Sequence, residues 1–163
     1  MRWFATLLLT GSVLVAVPVL AQESGGAGAD TNMEILKEKL KADKKLIVAG
    51  NMDLSDAEAK KFWPLYDAYQ KELQQINTRL GKVIGDYAEA YNKGQGTVTE
   101  DTAKNLLKEA LAIEEAELQL KRSYAEKIGK VLPATKTARY IQIENKIRAL
   151  IKIELATQIP LVY

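Results

Sequence analysis

The sequence predicts an all-α fold of four helices, an elongated antiparallel helical hairpin with two shorter flanking helices, and three observations predict it. Phe62, Tyr66, Tyr69, Leu73, Ile76, Leu80, Val83, Tyr87 and Ala90 step by four and three alternately, the spacing that keeps one apolar seam turned toward a partner helix. Leu106, Ala110, Ile113, Leu120 and Tyr124 repeat the pattern, interrupted by Glu117 where an apolar residue belongs. Between the two runs lies "NKGQGT", in which Gly94 and Gly96 permit the chain to reverse.

The hairpin needs defined ends, and local chemistry supplies them. Ser55 and Glu58 form the capping box Ser-x-x-Glu, in which the hydroxyl accepts from the Glu58 amide and the carboxylate accepts from the Ser55 amide. The first long helix therefore starts here. Thr99 caps the second, and Leu107, Leu111 and Leu118 are expected to widen its apolar stripe. A shorter helix precedes the hairpin from about Asn32 to Val48, with Met33, Leu36, Leu40 and Ile47 on its apolar face and Gly50 and Asn51 as its stop. Another follows from Pro133 to about Ala156, with Pro160 closing it.

Upstream of these elements the character changes. "MRWFATLLLTGSVLVAVPVLAQ" carries Arg2, an apolar run from Phe4 to Leu20 and the small residue Ala21, the pattern of a secretory signal peptide cleaved after Ala21. Thr6, Thr10, Gly11, Ser12 and Pro18 dilute the run, which falls short of the about 20 apolar residues that a membrane span prefers. Residues 22–31 are Gly-rich and aperiodic and read as a flexible tether. Residues 32–163 form a single helical domain, and the expected location is exported, periplasmic.

Composition narrows the chemistry. Lys and Arg total 23 against 21 Asp and Glu, without the positive excess of a nucleic-acid binder. The chain contains no Cys and no His. Disulfides, thiolate catalysis, Cys or His zinc sites and Ser-His-Asp triads are excluded. The reading is that the protein is not an enzyme and has no catalytic, cofactor-binding or metal site.

Two charged groups nevertheless invite inspection. Asp101, Glu109, Glu114, Glu115 and Glu117 offer oxygen ligands for a hard cation, but Lys108 and Lys121 stand at ion-pair spacing. Glu117, inside the seam, leaves two readings open: a pair with an inward cation such as Arg79, or a loose part of the hairpin. In the last helix Ile143, Ile147, Leu150 and Ile151 cluster on one expected buried face. Ile141, Arg148 and Lys152 then fall opposite and, with Arg139, form a candidate partner-binding surface of an apolar side chain among cations.

The start Leu54-Ser55-x-x-Glu58, within an exported helical chain free of His, resembles the LTxxQ motif of the Spy/CpxP-type periplasmic proteins. Leu54, Ser55 and Glu58 match the first copy conservatively. The second would fall at "LPATK", Leu132 to Lys136, which keeps only the Leu. "FWPLYDAY" and "ARYIQIENK…ELATQIPLV" also look like a group of small exported bacterial proteins. The resemblance implies a homodimer of bent hairpins whose concave face holds unfolded clients, in some members linked to envelope stress or metal resistance. It carries over no catalytic residue.

The function expected is a non-enzymatic protein-binding module, chaperone-like or an envelope-stress adaptor. The alternatives are a structural or regulatory envelope component with one fixed partner, or a carboxylate-based metal-responsive protein. Expected partners are unfolded or envelope proteins, with contact to a membrane surface but no integral insertion, and no nucleic acid.

Overall fold

The computed structural model describes residues 43–162. The signal-peptide and tether readings, and Met33, Leu36 and Leu40, lie outside the described residues. Four helices follow one another, with no strand among the described residues. They are α1, described over residues 43–52, α2 over Asp56–Lys93, α3 over Glu100–Gly129 and α4 over Ala134–Gln158. At about 1.5 Å per residue α2 is roughly 57 Å long and α3 roughly 45 Å.

Both caps form as the sequence dictates. Ser55 Oγ accepts from the Glu58 amide at 3.4 Å while Glu58 Oε2 accepts from the Ser55 amide at 2.8 Å. Thr99 Oγ1 accepts from the Thr102 amide at 3.3 Å. The α2 seam is the core: Phe62, Tyr66, Tyr69, Leu73, Ile76 and Tyr87 are buried, against Ile113, Leu120, Tyr124 and Ile128 of α3. The aromatic residues of α2 are therefore packing, with ring centroids 5.3 Å apart for Tyr69 and Tyr124 and 5.1 Å for Phe62 and Tyr140.

Contacts between helices fix direction. Arg79 meets Glu109 and Tyr69 meets Tyr124, so α3 runs antiparallel to α2. Glu58 meets Lys136, Gln70 meets Glu144, Asn77 meets Arg148, and Tyr87 Oη donates to the Pro160 carbonyl. These pairs rise together, so α4 runs parallel to α2. Lys44 and Lys45 of α1 reach Gln70 and Asp67, and α1 descends toward the capped end of α2. Lys45 also stands 5.1 Å from the Trp63 ring centroid, which ties Trp63 to the first helix.

Three expectations are corrected. The first helix does not stop at Gly50 and Asn51 but continues through Met52. Val48 and Met52, four residues apart, are fully buried, and a Cβ at Gly50 would touch nothing. Burial of that pair outweighs the weak helix preference of glycine, and Asp53, with φ at 48°, makes the break instead. The buried face of α1 is accordingly Val48 and Met52, while Ile47 is exposed. On α3, Leu107, Leu111 and Leu118 do not widen the packed stripe; all three face solvent.

The turn between α2 and α3 depends on its glycines by two mechanisms. Gly96 has φ at 99°, and a Cβ on Gly94 would sit 2.1 Å from the Thr97 carbonyl oxygen. Gly85, inside α2, has open space where a Cβ would go. We therefore expect Gly85→Ala to raise stability by about 0.5–1 kcal/mol and Gly94→Ala to lower it by about 1–3 kcal/mol, measured by urea denaturation.

Candidate functional site

The fourth helix departs most from its expected orientation. Its buried residues are Tyr140 and Glu144, and Arg148 follows at the same spacing of four. Side-chain exposure is 3 % for Glu144 and 12 % for Arg148. Residues four apart share a helix face, so this face turns a phenol, a carboxylate and a guanidinium into the bundle.

Each charge is met by groups from other helices. Glu144 accepts from Lys44 Nζ of α1 at 2.7 Å through one oxygen and from Gln70 Nε2 of α2 at 2.9 Å through the other. Lys44 also donates to Gln70 Oε1 at 2.8 Å, closing a triangle across three helices. One turn on, Arg148 Nη2 and Nε both donate to Glu117 Oε2 of α3, at 2.6 and 3.0 Å, and Nη1 donates to Asn77 Oδ1 of α2 at 2.6 Å. Lys121 stands 3.9 Å from the second Glu117 oxygen. Thus Arg148, not Arg79, answers the charge inside the seam; Arg79 pairs with Glu109.

At the base of α4, Lys136 Nζ donates to Glu58 Oε2 at 2.7 Å and to the Asp53 carbonyl at 2.6 Å. The Lys136 hydrogen bond, then the Ser55 amide, hold the Glu58 carboxyl down at about 2, below its ordinary 4.5. Around the Glu144 node, burial first, and the Glu144 charge second, push the phenols of Tyr66, Tyr69 and Tyr140 above the ordinary tyrosine range. They stay neutral at physiological pH. The Tyr140 hydroxyl lies beside Glu144, enclosed and without a well-formed hydrogen bond.

The candidate partner surface is rearranged accordingly. Arg148 is consumed inside the bundle and Ile141 packs against the core cluster. Lys152 is half exposed and 3.8 Å from Glu114. Arg139 remains exposed and lines a cleft with Asn51, Gln142, Ile143 and Lys146. The expected buried face also turns: Ile143 and Ile147 are half-buried, whereas Leu150 and Ile151 are exposed. The physical reason is that Arg148 satisfies a buried carboxylate, which is worth more than covering a further aliphatic side chain. Of the motif residues, Leu54 packs on the core, and Ser55 and Glu58 are occupied by the cap and by Lys136.

The acidic residues of α3 separate in space. Glu109, Glu114 and Glu117 each face a different cation, on Arg79, Lys152 and Arg148. Among the described residues no group of three or more His, Cys, Asp or Glu is placed to hold a metal ion. Lys44, Gln70, Asn77, Tyr140 and Glu144 escaped the sequence reading. The spacing of Tyr140, Glu144 and Arg148 is the signal that could have found the inward face.

Comparison with protein-family models, with curated proteins and with solved structures returns no match. The resemblance to the Spy/CpxP-type proteins therefore stands on Leu54, Ser55 and Glu58 and on helical architecture alone.

The nodes make two predictions. Arg148→Met strands Glu117 and should cost roughly 3–5 kcal/mol, while Arg148→Met with Glu117→Leu recovers most of that loss; denaturant titration of the cycle measures the coupling. The second concerns acid. The fold depresses the Glu58 carboxyl, so its stabilisation is full above about pH 4.5 and disappears as pH falls toward 2. Melting temperature should fall less steeply across that window in Glu58→Gln than in the wild type.

Proposed function

We propose that this chain is an exported, non-enzymatic module that holds partner proteins on a leucine stripe of α3. One observation carries the reading. Leu107, Leu111 and Leu118 are 61 %, 58 % and 46 % exposed, and at 100° per residue they fall within about 40° of one another. Isolated exposed leucines are ordinary on a protein surface. A line of them on the side of α3 away from its packed seam is a contact surface.

The surrounding charge fits a protein partner. Lys104, Lys108 and Arg122 are exposed along this side, together with Glu114 and Glu115. Apolar side chains supply short-range affinity, up to roughly 1.5–3 kcal/mol for each leucine fully covered, and the flanking charges steer approach and select against unsuitable partners. The carboxylates of Glu58, Glu117 and Glu144 are occupied by Lys136, Arg148 and Lys44, so they do not compete with the stripe for a partner. Export is supported by Arg2, the apolar run Phe4–Leu20 and Ala21, and the described helices include none long and apolar enough to cross a membrane.

A client-holding protein should act on more than one partner. The wild type is expected to suppress aggregation of two unrelated unfolded proteins at modest stoichiometry. Leu107→Ser with Leu111→Ser and Leu118→Ser should abolish suppression while leaving the melting temperature within about 2 °C, since exposed positions contribute little to stability. One stable copurifying partner with no suppression of aggregation would instead identify a structural envelope component.

A further inference from the structure

A different face of the bundle has its own chemistry. Asn51 of α1 and Arg139, Gln142, Ile143 and Lys146 of α4 line an open cleft of about 310 Å³. Arg139 and Lys146 are exposed, and neither has a carboxylate partner among the described residues. Lys136, one turn below Arg139, is satisfied by Glu58 and the Asp53 carbonyl. The one acidic residue between Ala134 and Arg148 is Glu144, and it is turned inward on Lys44 and Gln70. The outer face of this half of α4 therefore carries two positive charges that no carboxylate among the described residues compensates.

The same face changes character one turn later. Leu150 and Ile153 are 69 % and 61 % exposed, and the chain beyond the helix presents Leu161 and Val162 to solvent. At 100° per residue Arg139, Gln142, Lys146, Leu150 and Ile153 fall within about 80°. Cations and bare aliphatic side chains thus stand in one line along one side of one helix, over a distance of about 21 Å.

We propose that this outer face of α4 docks on the surface of a membrane containing anionic phospholipid, with Arg139 and Lys146 on lipid phosphates, amide groups of Gln142 and Asn51 beside them, and Leu150 and Ile153 in the boundary with the acyl chains. The charge pattern selects this occupant. A bilayer surface offers phosphate and hydrocarbon side by side at every position, so the face needs no matching register. An acidic peptide would need its charges and apolar residues in the right order and spacing. A free phosphate would use the cations and leave the leucine and isoleucine uncovered.

Vesicle cosedimentation of the full chain tests this, read as differences between variants so that the apolar N-terminal run contributes equally to each. The wild type should bind vesicles of phosphatidylcholine with about a third phosphatidylglycerol more tightly than phosphatidylcholine alone, and salt should reduce the difference. Arg139→Ala with Lys146→Ala should weaken that binding roughly 20-fold. Leu150→Ser with Ile153→Ser should weaken binding to both vesicles, and circular-dichroism melting should show both variants folded. Equal binding by all three proteins would overturn the proposal. So would saturable binding of inorganic phosphate or of an acidic peptide, lost in Arg139→Ala with Lys146→Ala, from a protein that shows no preference for anionic vesicles.

Discussion

A charged side chain taken out of water must find its counter-charge, and in this bundle that requirement ties the helices together. Glu144 and Arg148 both point inward from α4. An unpaired carboxylate or guanidinium there would cost several kcal/mol. Glu144 is compatible with burial only where Lys44 of α1 and Gln70 of α2 meet it, and Arg148 only where Glu117 of α3 and Asn77 of α2 do. Sliding α4 by one turn would move both groups away from their partners at once. Apolar seams tolerate such shifts much better, so the polar nodes set the register that the hydrophobic contacts then fill.

The distribution of the core follows. Val48, Met52, Phe62, Tyr66, Ile128, Leu132 and Tyr140 gather at the end where α1 covers the bundle, and the Glu144 and Arg148 nodes lie just beyond them. Toward the reversal at Gly94 and Gly96, burial is lighter: Leu80, Val83 and Leu106 are only partly covered, and Leu107 and Leu111 are bare. A dense, polar-registered end supports a thinner arm with apolar side chains on its outside. At the dense end the internal carboxylates Glu117 and Glu144 are held in ion pairs with Arg148 and Lys44.

Local rules were the readable part of the sequence. Ser55 with Glu58, and Thr99, act within one turn, so their roles are independent of what packs nearby. The seam of α2 was legible because its apolar residues repeat over about eight turns and outvote any single exception. The end of α1 was not, since Gly50 says stop while the burial of Val48 and Met52, visible only in three dimensions, says continue. The face of α4 was misread for a related reason. Counting aliphatic residues assigns Ile147, Leu150 and Ile151 to the core and Arg148 to solvent, yet the partner of Arg148 lies 31 residues earlier and that of Glu144 lies 100 residues earlier. No periodicity within a helix reports a counter-charge supplied from so far away.

If the nodes lock α4 to the hairpin, α4 cannot open alone. Native-state hydrogen exchange at neutral pH measures this directly, amide by amide. The account predicts that amides from Tyr140 to Arg148 exchange only with global unfolding, with the same opening free energy and denaturant dependence as Tyr69 to Ile76 of α2 and Ile113 to Leu120 of α3. Exchange of Tyr140 to Arg148 through a separate opening of lower free energy, while α2 and α3 stay protected, would contradict it.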